Sequence, residues 1–192
     1  MRNLQPENGE ETVSEKRTGA VALIVKAADF AAFKHRNQRR KDIDASPYIN
    51  HPISLAALLT NEAGITDPVV ICAALLHDII EDTETTPAEL QEEFGKTIAA
   101  VVMEVTDDKA LPKAERKRLQ IVKAGRASRR ARLVKLADKI CNLRDIASNP
   151  PAKWNLRRRR KYFDWAKQVI DNLRGTHRHL ERIFDKAFAL RP

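Results

Sequence analysis

The sequence is poor in the residues that build β-structure. Aromatic side chains make up 5% of it, and there are only six glycines. An all-β sandwich or barrel, with its frequent turns and aromatic or β-branched strands, is therefore excluded. Cysteine is scarce too, at two. Cys72 and Cys141 lie in apolar helical stretches and read as reduced thiols packed in a core, not as a disulfide framework. Long apolar runs are missing. The longest, Val69 to Leu76, falls far short of the ~20 residues that a membrane-spanning helix needs. Met1 to Arg17 is polar and has no apolar stretch, so no secretion signal is expected there. The expected location is the cytoplasm, with no membrane partner.

Ala, Leu, Arg and Lys dominate what is present. At 192 residues one domain with an ordinary core is expected. Lys and Arg number 35 against 26 Asp and Glu, a formal net charge of +9. Such a charge suits a nucleic acid, a membrane surface or a small polyanion, and composition does not choose among them.

Hydrophobic periodicity is helical almost throughout. Met1 to Arg17 reads as a flexible arm. A first helix follows from Thr18 to about Arg36, with Ala20, Leu23, Ile24, Ala27, Ala28, Ala31 and Ala32 at spacings of three and four. Asn37 to Tyr48 is a loop. A second helix starts near Pro52 and ends at Gly64. Asp67-Pro68 has the form of a helix cap followed by a first-turn proline, opening a third helix from Val69 to about Glu81 that is apolar nearly all round. Thr86-Pro87-Ala88-Glu89 has the capping-box pattern for a short helix closed by Gly95. Further helices are predicted over about Lys96–Val105, Pro112–Lys123, Ser128–Ala147, Leu156–Leu173 and Thr176–Ala189. The expected architecture is a compact all-α domain of eight or nine helices, with its site between helices.

The chemistry centres on His77-Asp78, at the end of the apolar run. A charge-capable pair beside a core helix is costly to bury without partners. A bound cation would offset that cost, taking neutral imidazole and ionised carboxylate. Adjacent helical residues lie about 100° apart, so other helices must complete the shell. Two residues are suited to it. His51 stands at a loop-to-helix junction, and Asp138 is a polar residue inside the apolar stretch Leu133–Lys139. Two histidines and two aspartates form a mixed nitrogen and oxygen shell. It fits one divalent ion, Mn²⁺ before Zn²⁺, Fe²⁺ or Ni²⁺. Glu81 and Asp82 follow one helical turn beyond this pair, placed to orient a water or handle its proton.

The order His51, His77-Asp78, Asp138 resembles the HD-domain metal-dependent phosphohydrolases. The segments Lys34–Asp42, Pro47–Pro52, Ala73–Thr83 and Leu136–Arg144 narrow the likeness to the hydrolase half of the RelA/SpoT homologues, above all to the stand-alone small hydrolases of the metazoan type. Glu104–Lys109 and Tyr162–Ala166 fit the same group. The resemblance implies an HD-type helical bundle and hydrolysis of the 3′-diphosphate of ppGpp or pppGpp, usually with Mn²⁺. It implies His51, His77, Asp78 and Asp138 as metal ligands and Glu81 and Asp82 as the catalytic acids. Arg40, Lys41, Asn142 and Tyr162 match positions lining the nucleotide pocket. No synthetase segment is expected. The basic tracts Arg126–Arg132 and Arg157–Lys161 are richer than the family pattern.

Two rival readings stand beside this one. An HD hydrolase could act mainly on another nucleotide, such as NADPH. Alternatively Arg157–Lys161, next to Tyr162, Phe163 and Trp165, could mark a nucleic-acid-binding helical module. The bland reading of that tract, and of Lys113–Arg118, is a solvated helix face. His35, His177 and His179 lack carboxylates at metal spacing and are expected at the surface or as caps.

Overall fold

A computed structural model describes residues 13–192. Nine α-helices run in order through them: α1 (Val13–Lys34), α2 (Asn50–Ala57), α3 (Pro68–Leu76), α4 (Ile79–Asp82), α5 (Pro87–Val105), α6 (Lys113–Ala124), α7 (Arg129–Ser148), α8 (Leu156–Asp171) and α9 (Arg178–Phe188). A π-helical turn, Leu58–Glu62, extends α2. Among the described residues the only β-type pairing is one antiparallel bridge between Arg39 and Pro47. The chain is all-α, as its composition and periodicity require.

Local signals start most of the helices. Asp67 accepts the Val69 N–H at 3.0 Å, with Pro68 in the first turn of α3. Thr86 accepts the Glu89 N–H and opens α5. Ser128 and Asn155 cap α7 and α8 in the same way. The glycine expected to close a short helix does so, and the next helical piece follows it directly. Gly95, at φ 78° and ψ 162°, joins two helical pieces into α5. That backbone is open to glycine and strained for a residue with a Cβ.

Two expectations need correction. Helix α1 begins at Val13, so the last residues of the expected arm are helical, while residues 1–12 lie outside the described part. The predicted helix from Val69 to Glu81 is not continuous. It stops at Leu76, Asp78 takes φ −102° and ψ 4°, and a new turn starts at Ile79. No glycine or proline announces this break. It follows from burying Leu76 and Ile79 fully while keeping Asp78 at the surface of the core.

Helices α3 and α7 form the centre. Helix α3 packs against α1, α2, α5 and α7, and α7 against α2, α3, α5, α8 and α9. Leu76, Leu136, Ile140 and Leu143 are fully buried where these helices meet. Each such side chain contributes about 1.5–3 kcal/mol on burial. This rigid centre holds the ends from which the site is built. Among the described residues no helix is long and apolar enough to cross a membrane.

Candidate metal centre and its two cavities

His51 is the second residue of α2, His77 terminates α3, and Asp138 lies mid-way along α7. Three helices that are distant in sequence thus deliver one ligand atom each, all within 4.8 Å of one another. His51 and His77 are 3% and 5% exposed. The fourth expected ligand, Asp78, lies outside this trio, but its Oδ2 is 2.9 Å from His77 Nε2. The Tyr48 hydroxyl donates to the same carboxylate oxygen.

The histidines suit a cation. His77 Nδ1 donates to the Ala74 carbonyl at 2.9 Å, which leaves Nε2 facing Asp78 and, at 4.0 Å, Asp138 Oδ1. A metal-ligating imidazole is commonly oriented in this way, by a second hydrogen bond from its other nitrogen. His77 Nε2 and His51 Nδ1 are both buried without a hydrogen-bond partner. Burial lowers the His77 pKa, but the Asp78 and Asp138 carboxylates outweigh it and push it up to about 9. The negative charge around Nε2 therefore draws a positive charge to that spot. His51 is pushed down by burial, only partly opposed by its contact with Asp138. Asp138 is held well below the usual carboxylate range. Burial opposes this, but Lys139 and the two histidines prevail. The residues present fit a divalent cation.

Glu81 and Asp82 sit in α4, one turn on. The Asp107 N–H donates to Glu81 Oε1 at 2.7 Å. Burial, with the Asp78 carboxylate, raises the Glu81 pKa to about 7. Asp82 Oδ2 accepts from Gln38 Nε2 at 2.8 Å, and Oδ1 from Lys109 Nζ at 2.7 Å.

Two cavities meet at this point. The larger, about 470 Å³, is lined by all four residues expected to touch substrate: Arg40, Lys41, Asn142 and Tyr162. Their side chains are not equally free. Arg40 pairs with Asp145 at 2.5 Å, and Asn142 gives its amide to Asp138. Tyr162 lies between Trp154 and Trp165, at ring separations of 5.7 and 5.2 Å. The smaller cavity, about 250 Å³, has a cationic wall of Lys113, Arg116, Lys117, Lys135 and Lys139. His51, Asp78, Glu81, Asn142 and Tyr162 line both.

That cationic wall was not legible as a site. Lys113–Arg118 reads as an exposed helix face, yet α6 packs on α8, half-buries Arg116 and Lys117, and sets them with the exposed Lys113 along the smaller cavity. Lys117 lies over the Trp165 ring at 4.3 Å. Burial first, then the neighbouring Lys113 and Lys139, push its pKa down to about 8. The density of basic residues in Lys113–Arg118 is the one signal the sequence carries for it. His35 is a second correction. It is 2% exposed and not at the surface, because the chain folds back after α1 and stacks it on Tyr48. His177 does cap α9, accepting the Leu180 N–H. The Arg157–Lys161 tract splays around α8. Arg158 lies over Trp154, which lines the larger cavity, and Arg160 reaches the Pro192 carbonyl.

Residues 27–163 match the protein family described as HD domain. The chain is 55% identical over 170 residues to the guanosine-3′,5′-bis(diphosphate) 3′-pyrophosphohydrolase MESH1 of Homo sapiens, spanning 88% of this chain and 95% of that protein. It is 54% identical to the Mus musculus protein of the same name, over 87% of this chain and 93% of that one. A solved structure described as a metazoan ortholog of SpoT that hydrolyzes ppGpp and plays a role in starvation responses has a TM-score of 0.86. It is 51% identical and spans 88% of this chain and 96% of the other. The chain belongs to the HD-domain family and, within it, to the group that contains the MESH1 proteins.

Proposed function

We propose that this protein is a hydrolase of the 3′-diphosphate of ppGpp and pppGpp, yielding pyrophosphate with GDP or GTP. One observation carries the reading. The His51–His77–Asp138 cluster lines a cationic cavity, and His51, Asp78 and Glu81 join that cavity to a nucleoside-sized one. A substrate with a nucleoside on one side of the scissile bond and two phosphates on the other matches that division.

His51, His77 and Asp138, with Asp78, would hold one divalent cation, whose chemistry is to stabilise phosphoryl charge and acidify water. Imidazole nitrogens and carboxylate oxygens without thiolate favour Mn²⁺. Glu81 takes the proton of the attacking water. Its pKa of about 7 places it where a base still ionises near neutrality yet holds a proton well. Asp82, gripped through both oxygens, orients that water. Lys113, Arg116, Lys117 and Lys139 receive the departing diphosphate through charge-assisted hydrogen bonds. Arg40, Lys41 and the Trp154–Tyr162 pair hold the nucleoside and its 5′ phosphates, while Asn142 steadies Asp138. Two buried thiols, both with pKa values raised by burial, fit a reducing cytoplasm.

The test is a substrate panel on metal-stripped protein, with Mn²⁺, Zn²⁺ and Mg²⁺ restored separately. GDP and intact pyrophosphate from ppGpp, strongest with Mn²⁺, are expected. Faster release of phosphate from NADPH would overturn the substrate assignment. Steeply salt-dependent RNA binding without hydrolysis of any nucleotide would overturn the enzyme reading.

A further inference from the structure

We propose that Gln38 is a positioning residue that holds Asp82, and that His35 sets the orientation of Gln38. The inference rests on the proposed role of Asp82 and adds two residues to the reaction. Gln38 occupies the bend after α1, where its backbone is fixed on both sides. Its N–H donates to the His35 carbonyl at 2.9 Å, and its carbonyl accepts the Tyr48 N–H at 3.1 Å. The side-chain amide then bridges two elements. Oε1 is 2.6 Å from His35 Nδ1, and Nε2 donates to Asp82 Oδ2 at 2.8 Å.

The amide fits only one way round. An ionised carboxylate has no proton to give, so Gln38 must turn its NH₂ toward Asp82. Its carbonyl oxygen then faces His35, and Nδ1 must carry the imidazole proton. The opposite orientation sets Gln38 Oε1 against Asp82 Oδ2, two acceptors with no hydrogen between them. The surroundings of His35 agree. It is 2% exposed, and its Nε2 is buried with no partner. A proton on Nε2 would be an orphaned buried donor, which folded proteins rarely tolerate. The ring is clamped against Tyr48, with centroids 4.8 Å apart. On the other carboxylate oxygen sits Lys109, whose side chain is 48% exposed and so less firmly placed. Gln38 is thus the rigid half of the grip on Asp82, and His35 the part that keeps the amide from flipping.

Kinetics and nitrogen NMR together decide the matter. Gln38→Ala should lower kcat about tenfold, the size of one lost hydrogen bond to a charged group. KM should stay within about twofold, since Gln38, although it lines the larger cavity, spends both ends of its amide on His35 and Asp82. His35→Phe keeps the stacking but has no donor, and should lose kcat by the same factor. His35→Asn restores an N–H near the Nδ1 position and should recover most of it. In an Asp82→Asn background, Gln38→Ala should have no further effect on kcat. A purely structural role for the bend would raise KM through Arg40 and Lys41 and would add to the Asp82 loss. Additive losses, a change in KM alone, or an active His35→Phe would overturn the proposal. Imidazole ¹⁵N shifts should place the His35 proton on Nδ1, and a proton on Nε2 would also overturn it. If the wild type turned over no ppGpp, the functional reading would fail, while the His35 spectrum would still decide the orientation of Gln38.

Discussion

The acidic junction between α3 and α4 and the cationic wall of α6 and α7 face each other across the same space, but they are built differently. Each acid of the junction has a partner within the protein. Asp78 meets Tyr48 and His77, Glu81 meets the Asp107 N–H, and Asp82 meets Gln38 and Lys109. On α7 the wall is partnered too, Lys139 by Asp138 and Lys135 by the Val105 carbonyl, but its α6 part is not. Among the described residues Lys113 and Lys117 form no ion pair, and Arg116 Nε is buried without an acceptor. Like charges there depress the Lys117 pKa in addition to its burial. A side already satisfied is organised for chemistry before substrate arrives. On the proposed reading, a side left short of negative charge is organised to bind.

Substitutions on the two sides should therefore fail in different ways. The largest effect is expected at the cation cluster. His77→Ala or Asp138→Ala should abolish both turnover and retained metal, read by elemental analysis of purified protein. Metal retained at wild-type level would break the assignment of the cluster.

Next is Glu81→Gln. It should keep its metal and lose roughly 10²-fold or more in kcat, the scale of general-base catalysis. The base works ionised, so wild-type kcat/KM should rise with pH through about 7, and the Gln variant should lack that limb. Stability should run the other way. A carboxyl whose folded pKa is raised favours the folded state below its unfolded pKa and loses that contribution as pH climbs through the folded value. Thermal melts should show Glu81→Gln gaining on the wild type between about pH 5 and 8.

On the binding side, Lys117→Met should raise KM for ppGpp about tenfold with little change in kcat, the loss of one charge-assisted contact. The same variant should melt higher than the wild type at pH 7. A lysine with a depressed folded pKa opposes folding while charged, so wild-type stability should recover as pH rises from about 8 toward 10. A lower melting temperature for Lys117→Met at pH 7 would show that its packing on Trp165 outweighs the repulsion. The smallest effect is expected at Arg157, exposed on α8. Arg157→Ala should leave kcat/KM within about twofold. A large KM effect there would mean that the wall extends beyond the cavity.

The same contrast explains what could be read from the sequence. His77-Asp78 is conspicuous because polar groups interrupt an apolar run, and Asp138 because it does so inside a core helix. Capping boxes and Gly95 mark helix starts and the kink in α5 through local rules alone. The cationic wall obeys no such rule. Lys113, Arg116 and Lys117 come to line one cavity only because α6 lies on α8, a tertiary event that an amphipathic pattern does not record. His35 is hidden for a similar reason. A histidine flanked by lysine and arginine looks solvated until the chain turns back and Tyr48 covers it. The break at His77 is the clearest case. Leu75 to Asp82 has helical periodicity throughout, and only the demand to bury Leu76 and Ile79 with the histidine between them divides it.

Helix α7 also serves as a ruler. On the proposed reading Lys135 and Lys139 mark its diphosphate end, Asn142 the join of the two cavities, and Asp145 and Asn149 the nucleoside end. At about 1.5 Å of rise per residue these graduations are fixed by the backbone and not by flexible loops. On that reading a substrate would be measured against them, and a longer or shorter chain of phosphates past the reacting bond would fall between the marks. One residue inserted into the rod would turn every later mark by about 100° and take the scale out of register with the cavities.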